Sequence, residues 1–369
     1  MKKILIILCF IGVIGIFESK AQITTEHWYL PTMSLEQAHQ LKGYDEVIVD
    51  PEVIFNNRAS LDALRLDNKN VKIYCYFNVV EWFNPMFDDK PWSKNIVAFL
   101  NKHEEWFLHG GNGERISFWP GMQTMNCAIN CPGANVYSTE ADEKINYINF
   151  ISERFIDDIL KTYHFDGVVT DNLWPKIDWI GYYGVNQSGL DYGIAKDDSR
   201  RSEILNEAWR AGMSYCLNQI KKFDPSLIII GNPGNMSYPQ CSGKMFENFP
   251  EIYLNEADTI FEAWYENISN ASMWPLDKNI PAGHCIFNAR KNNYFFTLCS
   301  SMLLNGVSFS YLQNTKYEEK YKLNLGSALG PSKISNGIYT RSYEKGIVMV
   351  DPYAKKSWVV YQDGRTRKE

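Results

Sequence analysis

The sequence predicts an α/β fold, a (β/α)8 TIM barrel with a small C-terminal antiparallel β appendage. Eight short runs rich in Val, Ile, Tyr and Phe recur along the chain, and most are followed by a longer amphipathic stretch. Continuous apolar strands that alternate with helices are typical of a parallel sheet covered by helices, and eight such units match this barrel. A doubly wound open sheet is the alternative. It is disfavoured because no glycine-rich nucleotide motif follows the first strand.

The elements follow one another in a regular order. We predict strands near residues 45, 71, 116, 166, 227, 243, 284 and 307. The clearest helix is predicted at 140–163, where isoleucines recur at helical spacing, and further helices are expected at about 199–223 and 256–270. The sequence of the tail predicts short antiparallel strands joined by Glu-Lys-Gly and Lys-Lys turns. The predicted units are therefore a barrel over 22–313 and an appendage over 314–369.

Composition restricts the class of protein. The 369 residues are 45% hydrophobic and 14% aromatic, which excludes a disordered chain. The formal net charge is −6, and the basic residues form no stripe. Nucleic acid and anionic membrane surfaces are therefore excluded as expected partners. The sequence does not predict the oligomeric state.

The N-terminus has the pattern of a secretory signal peptide, which we assign to residues 1–21. Lys2 and Lys3 precede the apolar run ILIILCFIGVIGIF, and Ser19-Lys20-Ala21 offers small residues at the cleavage positions. The run is short for a membrane span, and no second long apolar stretch follows. We therefore expect an exported protein, periplasmic, extracellular or at the cell surface, with no membrane span after cleavage.

Cysteine and histidine usage predicts no metal site and no cofactor. Without Cys9, seven cysteines remain, and an odd number cannot form a complete set of disulfides. Cys127 and Cys131 are the best candidates for a local bridge, since export permits disulfides. The six histidines are scattered along the chain.

Polar side chains at the ends of apolar strands indicate the site, because chemistry in a barrel occurs at the carboxyl ends of its strands. Two carboxylates stand out: Asp171 ends the predicted fourth strand, and Glu247 belongs to the sixth. Aromatic faces together with amide and carboxylate groups suit the binding of sugar rings. The predicted substrate-binding residues are Asp50, Asn78, Trp82, Asn172, Trp174, Asn232, Asn288 and Tyr311.

Glycoside hydrolysis needs one ionised and one protonated carboxyl group beside the same bond. We expect Asp171 to be the ionised nucleophile, since Asn172 and other amides lie near it. Glu247 lies among Met and Phe residues, which favour the protonated form that an acid needs. The structural alternatives are that Asp171 is a turn residue and that Glu247 is a core carboxylate or pairs with Arg290.

Four segments, YHFDGVVTDN, IIIGNPGN, SGKMFENF and NGIYTRSYEKGIVMVDP, resemble a family of uncharacterised barrel proteins, the hypothetical glycoside hydrolase-like family 15. The resemblance spans roughly residues 44–352. It implies a TIM-barrel glycosidase, because related barrels that act on α-galactosides place a nucleophilic Asp on strand four and an acid/base carboxylate on strand six. Carried over, these roles fall to Asp171 and Glu247, with Asn78, Asn172 and Asn232 facing the substrate.

The leading hypothesis is therefore an exported, retaining glycoside hydrolase that cleaves a polysaccharide or glycan. A non-catalytic carbohydrate-binding barrel is the first alternative, and a surface interaction protein that uses the tail strands is the second. The separation of the two carboxyl groups distinguishes the mechanisms, since about 5–5.5 Å indicates retention and about 6.5–9.5 Å inversion.

Overall fold

The structure is a computed structural model, and it describes most of the chain. The described residues are 22–83, 89–110, 113–117, 119–134, 144–179, 199–233, 238–250, 260–274, 284–289, 293–311 and 318–368. The predicted signal peptide (1–21) and Arg290 lie outside them.

Strands and helices alternate along the barrel, and the described tail consists of strands after a 3₁₀ turn at Glu319–Tyr321. The strands are β1 (Thr24–Trp28), β2 (Glu46–Val49), β3 (Lys72–Asn78), β4 (Glu81–Phe83), β5 (Met122–Thr124), β6 (Gly167–Asp171), β7 (Ile228–Gly231), β8 (Gly243–Phe246), β9 (Cys285–Ala289), β10 (Val307–Tyr311), β11 (Lys333–Ser335), β12 (Ile338–Tyr343), β13 (Gly346–Asp351), β14 (Lys356–Tyr361) and β15 (Thr366–Lys368). The α-helices are α1 (Leu35–Gln40), α2 (Val53–Asp67), α3 (Pro91–Leu100), α4 (Tyr147–Phe155), α5 (Arg201–Phe223), α6 (Ile260–Met273) and α7 (Tyr294–Met302).

Eight parallel strands close into a barrel in the order β1-β10-β9-β8-β7-β6-β3-β2, which confirms the predicted fold. Alternate side chains of these strands fill the interior, and the larger hydrophobic core lies outside it, between the barrel and the helices. The interior cluster consists of Ile48, Tyr74, Val169, Ile228, Ile230, Met245 and Ile286.

Two glycines allow the strands that carry the catalytic candidates to begin close to their neighbours. A Cβ atom on Gly167, at the start of β6, would lie 2.3 Å from the carbonyl oxygen of Ile228. One on Gly243, at the start of β8, would lie 1.6 Å from that of His284. No side chain fits at either position without movement of the backbone.

One barrel strand was missed and one was predicted wrongly, so the numbering of the later strands is unchanged. The first barrel strand, β1, has the polar sequence TTEHW and was not predicted, yet all five of its residues are buried. The predicted strand near 116 is not in the barrel; instead β5, which follows it, pairs antiparallel with β4 in a separate two-stranded sheet. Asp171 therefore still ends the fourth barrel strand, and Glu247 still follows the sixth.

The helices agree with the predicted pattern, except that the helix expected at 140–163 starts later than predicted. The helix expected at 140–163 begins at Tyr147, with Asn146 as its N-cap, and ends in a π-helical turn at Ile156–Leu160. Residues 135–143 lie outside the described part. Helix α5 reproduces the stretch predicted at 199–223 almost residue for residue.

The tail forms a five-stranded antiparallel sheet, β11 to β15 in sequence order, as predicted. Buried Arg341 attaches this sheet to the barrel. Its guanidinium donates to the carbonyl oxygens of Met302, at 3.1 Å, and Leu304, at 2.6 Å, at the end of α7. These carbonyls have no partner within the helix, so the arginine satisfies them while it fixes the sheet.

The candidate disulfide does not form in the structure. Neither Cys127 nor Cys131 belongs to a disulfide; both are buried, and each thiol lies near a backbone carbonyl oxygen. In the described part of the chain, no helix is long and apolar enough to cross a membrane.

A buried carboxyl group, Glu46, lies in the interior at the amino ends of the strands. The hydroxyl groups of Thr25 and Tyr74 donate to its two oxygens. Burial raises the pKa of Glu46 from 4.5 to about 7, although these hydrogen bonds oppose the shift. The folded state therefore holds the proton more tightly than the unfolded state does.

We expect stability to fall as the pH rises from about 4.5 through about 7, because Glu46 must then ionise while buried. Each unit of raised pKa corresponds to ~1.4 kcal/mol of unfolding free energy. In Glu46→Gln this loss should disappear. The melting temperatures at pH 5 and pH 8 should therefore differ less in this variant than in the wild type. Asp62→Asn, at an exposed position, is the control and should leave the difference unchanged. An undiminished difference in Glu46→Gln would contradict the prediction.

Candidate active site

The two predicted catalytic carboxylates lie together at the carboxyl end of the barrel. Asp171 ends β6 and Glu247 follows β8, and strand β7 runs between them. Asn232 follows β7, and its Nδ2 donates to Asp171 Oδ1 at 3.0 Å and to Glu247 Oε2 at 3.3 Å. A single amide group therefore bridges the two carboxylates, as its two N–H donors permit.

Asp171 is held by two further hydrogen bonds. The hydroxyl of Tyr76 donates to Oδ2 at 2.7 Å, and the backbone N–H of Asn172 donates to Oδ1 at 2.8 Å. Burial nevertheless raises the pKa of the Asp171 carboxyl, and the negative charge of Glu247 raises it further. The hydrogen bonds from Tyr76, Asn172 and Asn232 favour the charged form, as the sequence led us to expect of the amides, and burial opposes them.

A third carboxyl group, Glu81, was not predicted. It lies on β4 and is 3% exposed, and its Oε2 accepts a hydrogen bond from Asn172 Nδ2 at 3.0 Å. Burial raises the pKa of Glu81 to about 8, and the charge of Asp171 contributes to the rise. The only signal in the sequence was a single acidic residue inside the apolar segment VVEWF after the third barrel strand.

A cavity of about 250 Å³, slightly smaller than typical ligand pockets, lies on the Glu81 and Tyr76 side of the site. Asp171 and Glu247 are not among the residues that line it, and Tyr76 connects it to Asp171 through their hydrogen bond. Six of the fifteen residues that line it are aromatic. The residues that line it include Tyr29, Tyr76, Phe77, Trp82, Phe83, Trp92, Asp50, Asn78, Glu81, Lys90 and Lys94.

Three of the predicted substrate-binding residues line this cavity, although each also has a structural partner. Asp50 pairs with Lys90 at 2.8 Å. Asn78 Oδ1 accepts the backbone N–H groups of residues 80 and 81 at 3.0 and 3.2 Å, so it shapes the turn after β3. The indole N–H of Trp82 donates to the hydroxyl of Tyr147 at 2.8 Å. The cavity wall is therefore held in place before any ligand binds.

The other five predicted substrate-binding residues are not among those that line the cavity. Two of them, Asn172 and Asn232, bond to the carboxyl groups instead. Asn288 is fully buried, and its Nδ2 donates to Ser310 Oγ at 3.0 Å. Tyr311 packs against Tyr294, with ring centroids 5.8 Å apart. Trp174 packs against the hydrophobic core. The prediction located each at the end of a strand or just after one, but the direction of the side chain was not readable from the sequence.

Trp179 is 43% exposed and contacts Trp174 edge-on at 4.9 Å. Because it follows the fourth barrel strand on the rim side, we expect Trp179 to contribute to a sugar-binding surface. Trp179→Ala should then weaken oligosaccharide binding about 2- to 10-fold, the range for one aromatic contact. Its melting temperature should not change. Phe223→Ala, an exposed aromatic at the opposite end of the barrel, is the control for calorimetric titration. Unchanged affinity in Trp179→Ala would remove this residue from the binding surface.

Within the described residues, no three side chains of His, Cys, Asp or Glu are grouped so that they could hold a metal ion.

Comparisons with known proteins place the chain in a family. A family model described as hypothetical glycosyl hydrolase family 15 matches residues 67–347. No curated protein matches. Solved structures with some similarity include the glycoside hydrolase domain of PelA from Pseudomonas aeruginosa, at 12% identity and a TM-score of 0.47 over 80% of this chain and 96% of that one. Another is the GH36 alpha-galactosidase AgaA from Geobacillus stearothermophilus, at 12% identity and 0.49 over 94% and 48%.

Proposed function

The chain belongs to the hypothetical glycosyl hydrolase family 15, and on this premise we propose that it hydrolyses a glycosidic bond with Asp171 and Glu247 as its two catalytic carboxyl groups. The observation that carries the proposal is the bridge of Asn232 between them. The reaction requires two carboxyl groups beside one bond, and the carboxyl ends of barrel strands are where such groups meet.

The bridge also supports a retaining mechanism. The bridged oxygens of Asp171 and Glu247 can be no further apart than the sum of 3.0 and 3.3 Å. This limit applies to the two bridged oxygens, and it brings them near the separation of about 5–5.5 Å between the carboxyl groups of retaining enzymes.

The chemical steps follow from this geometry. An oxygen of Asp171 forms a bond to the anomeric carbon while the bond to the leaving oxygen breaks, and Glu247 gives its proton to that oxygen. Glu247, now a carboxylate, then takes a proton from water, whose oxygen attacks the anomeric carbon and releases Asp171. Tyr76 and Asn232 hold Asp171 in one orientation through both steps.

The cavity supports a carbohydrate substrate, a polysaccharide or glycan. Aromatic rings such as Tyr29 and Trp92 offer faces for the C–H side of a sugar ring. Charged groups such as Lys94 offer hydrogen bonds to hydroxyl groups. We also propose that the protein is exported after removal of residues 1–21, for which N-terminal sequencing of the exported chain is the test. A sequence that begins at Met1 would contradict it.

A substrate screen tests the function. The purified chain without residues 1–21 should release the aglycon from at least one member of a panel of α- and β-aryl glycosides, or reducing ends from one of a panel of polysaccharides. The product should have the anomeric configuration of the substrate, which NMR of the fresh product measures. Binding of a polysaccharide without turnover would instead favour the non-catalytic carbohydrate-binding barrel.

A further inference from the structure

From its contacts, we infer that Glu81 is a positioning residue for the catalytic pair. It acts through Asn172, whose backbone N–H holds the carboxylate of Asp171. This inference rests on the proposed role of Asp171 as the nucleophile. Glu81 belongs to β4, outside the barrel sheet, so it reaches the site from a loop rather than from a barrel strand.

Asn172 is the link between the two carboxyl groups. Its side chain Nδ2 donates to Glu81 Oε2 at 3.0 Å, and its backbone N–H donates to Asp171 Oδ1 at 2.8 Å. Its backbone has a φ of 55°, in the left-handed region that residues other than glycine seldom adopt. The bond to Glu81 stabilises this conformation and with it the direction of the N–H that holds Asp171. Without Glu81, Asn172 is free to relax, and the N–H can leave Asp171.

Glu81 is itself anchored to the strand beside Asp171. Asn78 lies opposite Asp171 in the register between β3 and β6. The Oδ1 atom of Asn78 accepts the backbone N–H of Glu81 at 3.2 Å. Asn78, Glu81, Asn172 and Asp171 therefore form a closed ring of contacts across two neighbouring barrel strands. A ring of this kind restricts the rotamer of the reactive carboxylate, which is the requirement for an efficient nucleophile.

The hydrogen bonds of Glu81 differ from those of a buried carboxylate with a purely structural role. Glu52 is such a case: its two oxygens accept the backbone N–H groups of Trp92, at 3.0 Å, and Ser93, at 2.6 Å, at the start of α3. In Glu81, Oε1 is buried and has no hydrogen-bond partner among the described residues. An unpartnered oxygen is costly for a carboxylate and less so for a neutral acid.

The neutral form also suits the site. Burial and the nearby charge of Asp171 raise the pKa of Glu81 to about 8, so at neutral pH the neutral acid predominates. Glu81 can then accept the hydrogen bond from Asn172 without placing a further negative charge beside Asp171. A glutamine would preserve this arrangement, whereas a leucine would fill the space but bind nothing.

Kinetics with these two substitutions test the inference. On the best substrate of the screen, Glu81→Leu should lower kcat about 10- to 100-fold while KM changes little, because the nucleophile is misplaced but the substrate still binds. Glu81→Gln should restore most of kcat. Glu46→Gln, at the other end of the barrel interior, is the control and should retain wild-type kcat. A wild-type kcat in Glu81→Leu, or equal losses in both Glu81 variants, would overturn the inference.

A second measurement does not depend on activity. Titration of the protein with ¹³C-labelled aspartate carboxyl groups follows Asp171 by NMR, with the signal assigned from its loss in Asp171→Asn. In Glu81→Leu the pKa of Asp171 should rise, because the N–H of Asn172 no longer stabilises the charged form. In Glu81→Gln it should stay at the wild-type value. If the screen finds no substrate but these pKa shifts occur, the proposed function fails and the positioning of Asp171 by Glu81 stands. If the pKa of Asp171 in Glu81→Leu equals that of the wild type, the positioning role is overturned.

Discussion

Replacing Asp171 by asparagine is expected to lower turnover more than about 10⁴-fold on every substrate, because an amide cannot form the ester with the sugar that a retaining reaction requires. The change conserves the shape of the side chain, and its amide can still bond to Tyr76 and Asn232. Folding should therefore survive, which circular dichroism and the melting temperature check. Initial rates on the substrate from the screen measure the loss.

Asp166→Asn is the matched control for this prediction. Asp166 immediately precedes the same strand, β6, at its opposite end, and it pairs with Arg65 at 2.9 Å and Lys72 at 3.0 Å. Its substitution should lower stability and leave kcat unchanged. Ordinary turnover by Asp171→Asn would show that the nucleophile is another group and would return Asp171 to a structural role at the end of its strand.

Replacing Glu247 by glutamine is expected to have the second largest effect, and one that depends on the leaving group. Hydrolysis of glycosides with poor leaving groups should fall about 10²- to 10⁴-fold, because no proton reaches the departing oxygen. Glycosides of acidic phenols need little protonation, so their first step should remain fast. The second step lacks its base, and the glycosyl-enzyme should then accumulate and appear as a burst of released phenol.

Two further readouts distinguish this role from a structural one. Mass spectrometry of Glu247→Gln after mixing with an activated substrate should show one sugar attached to the chain, on the peptide that contains Asp171. Azide, which needs no general base, should restore turnover and give a glycosyl azide. Equal losses for all leaving groups, with no covalent intermediate, would contradict the assignment of Glu247 as acid/base.

The barrel and its two catalytic candidates were predictable from local patterns. Apolar strands that alternate with helices determine the barrel, and the carboxyl ends of parallel strands all meet at one rim. For this reason Asp171, at the end of the fourth strand, and Glu247, one residue beyond the sixth, lie at the same rim. This holds even though β1 was missed and residues near 116 were taken for a strand. The polar residues of β1, such as Thr25 and His27, gave no apolar signal, because they are buried only when the barrel closes around them.

The partners of the catalytic candidates depend on how distant segments meet. Asn232 bridges the two carboxylates only because β7 lies between β6 and β8, and Glu81 reaches Asn172 only because β4 folds over the rim. The contacts of Asn288 with Ser310 and of Tyr311 with Tyr294 were equally unreadable, since an amide or a tyrosine near the end of a strand is compatible with either a core or a site. Local sequence determines where a strand ends, whereas closure of the barrel and burial of its loops decide which side chains meet there and what charge they carry.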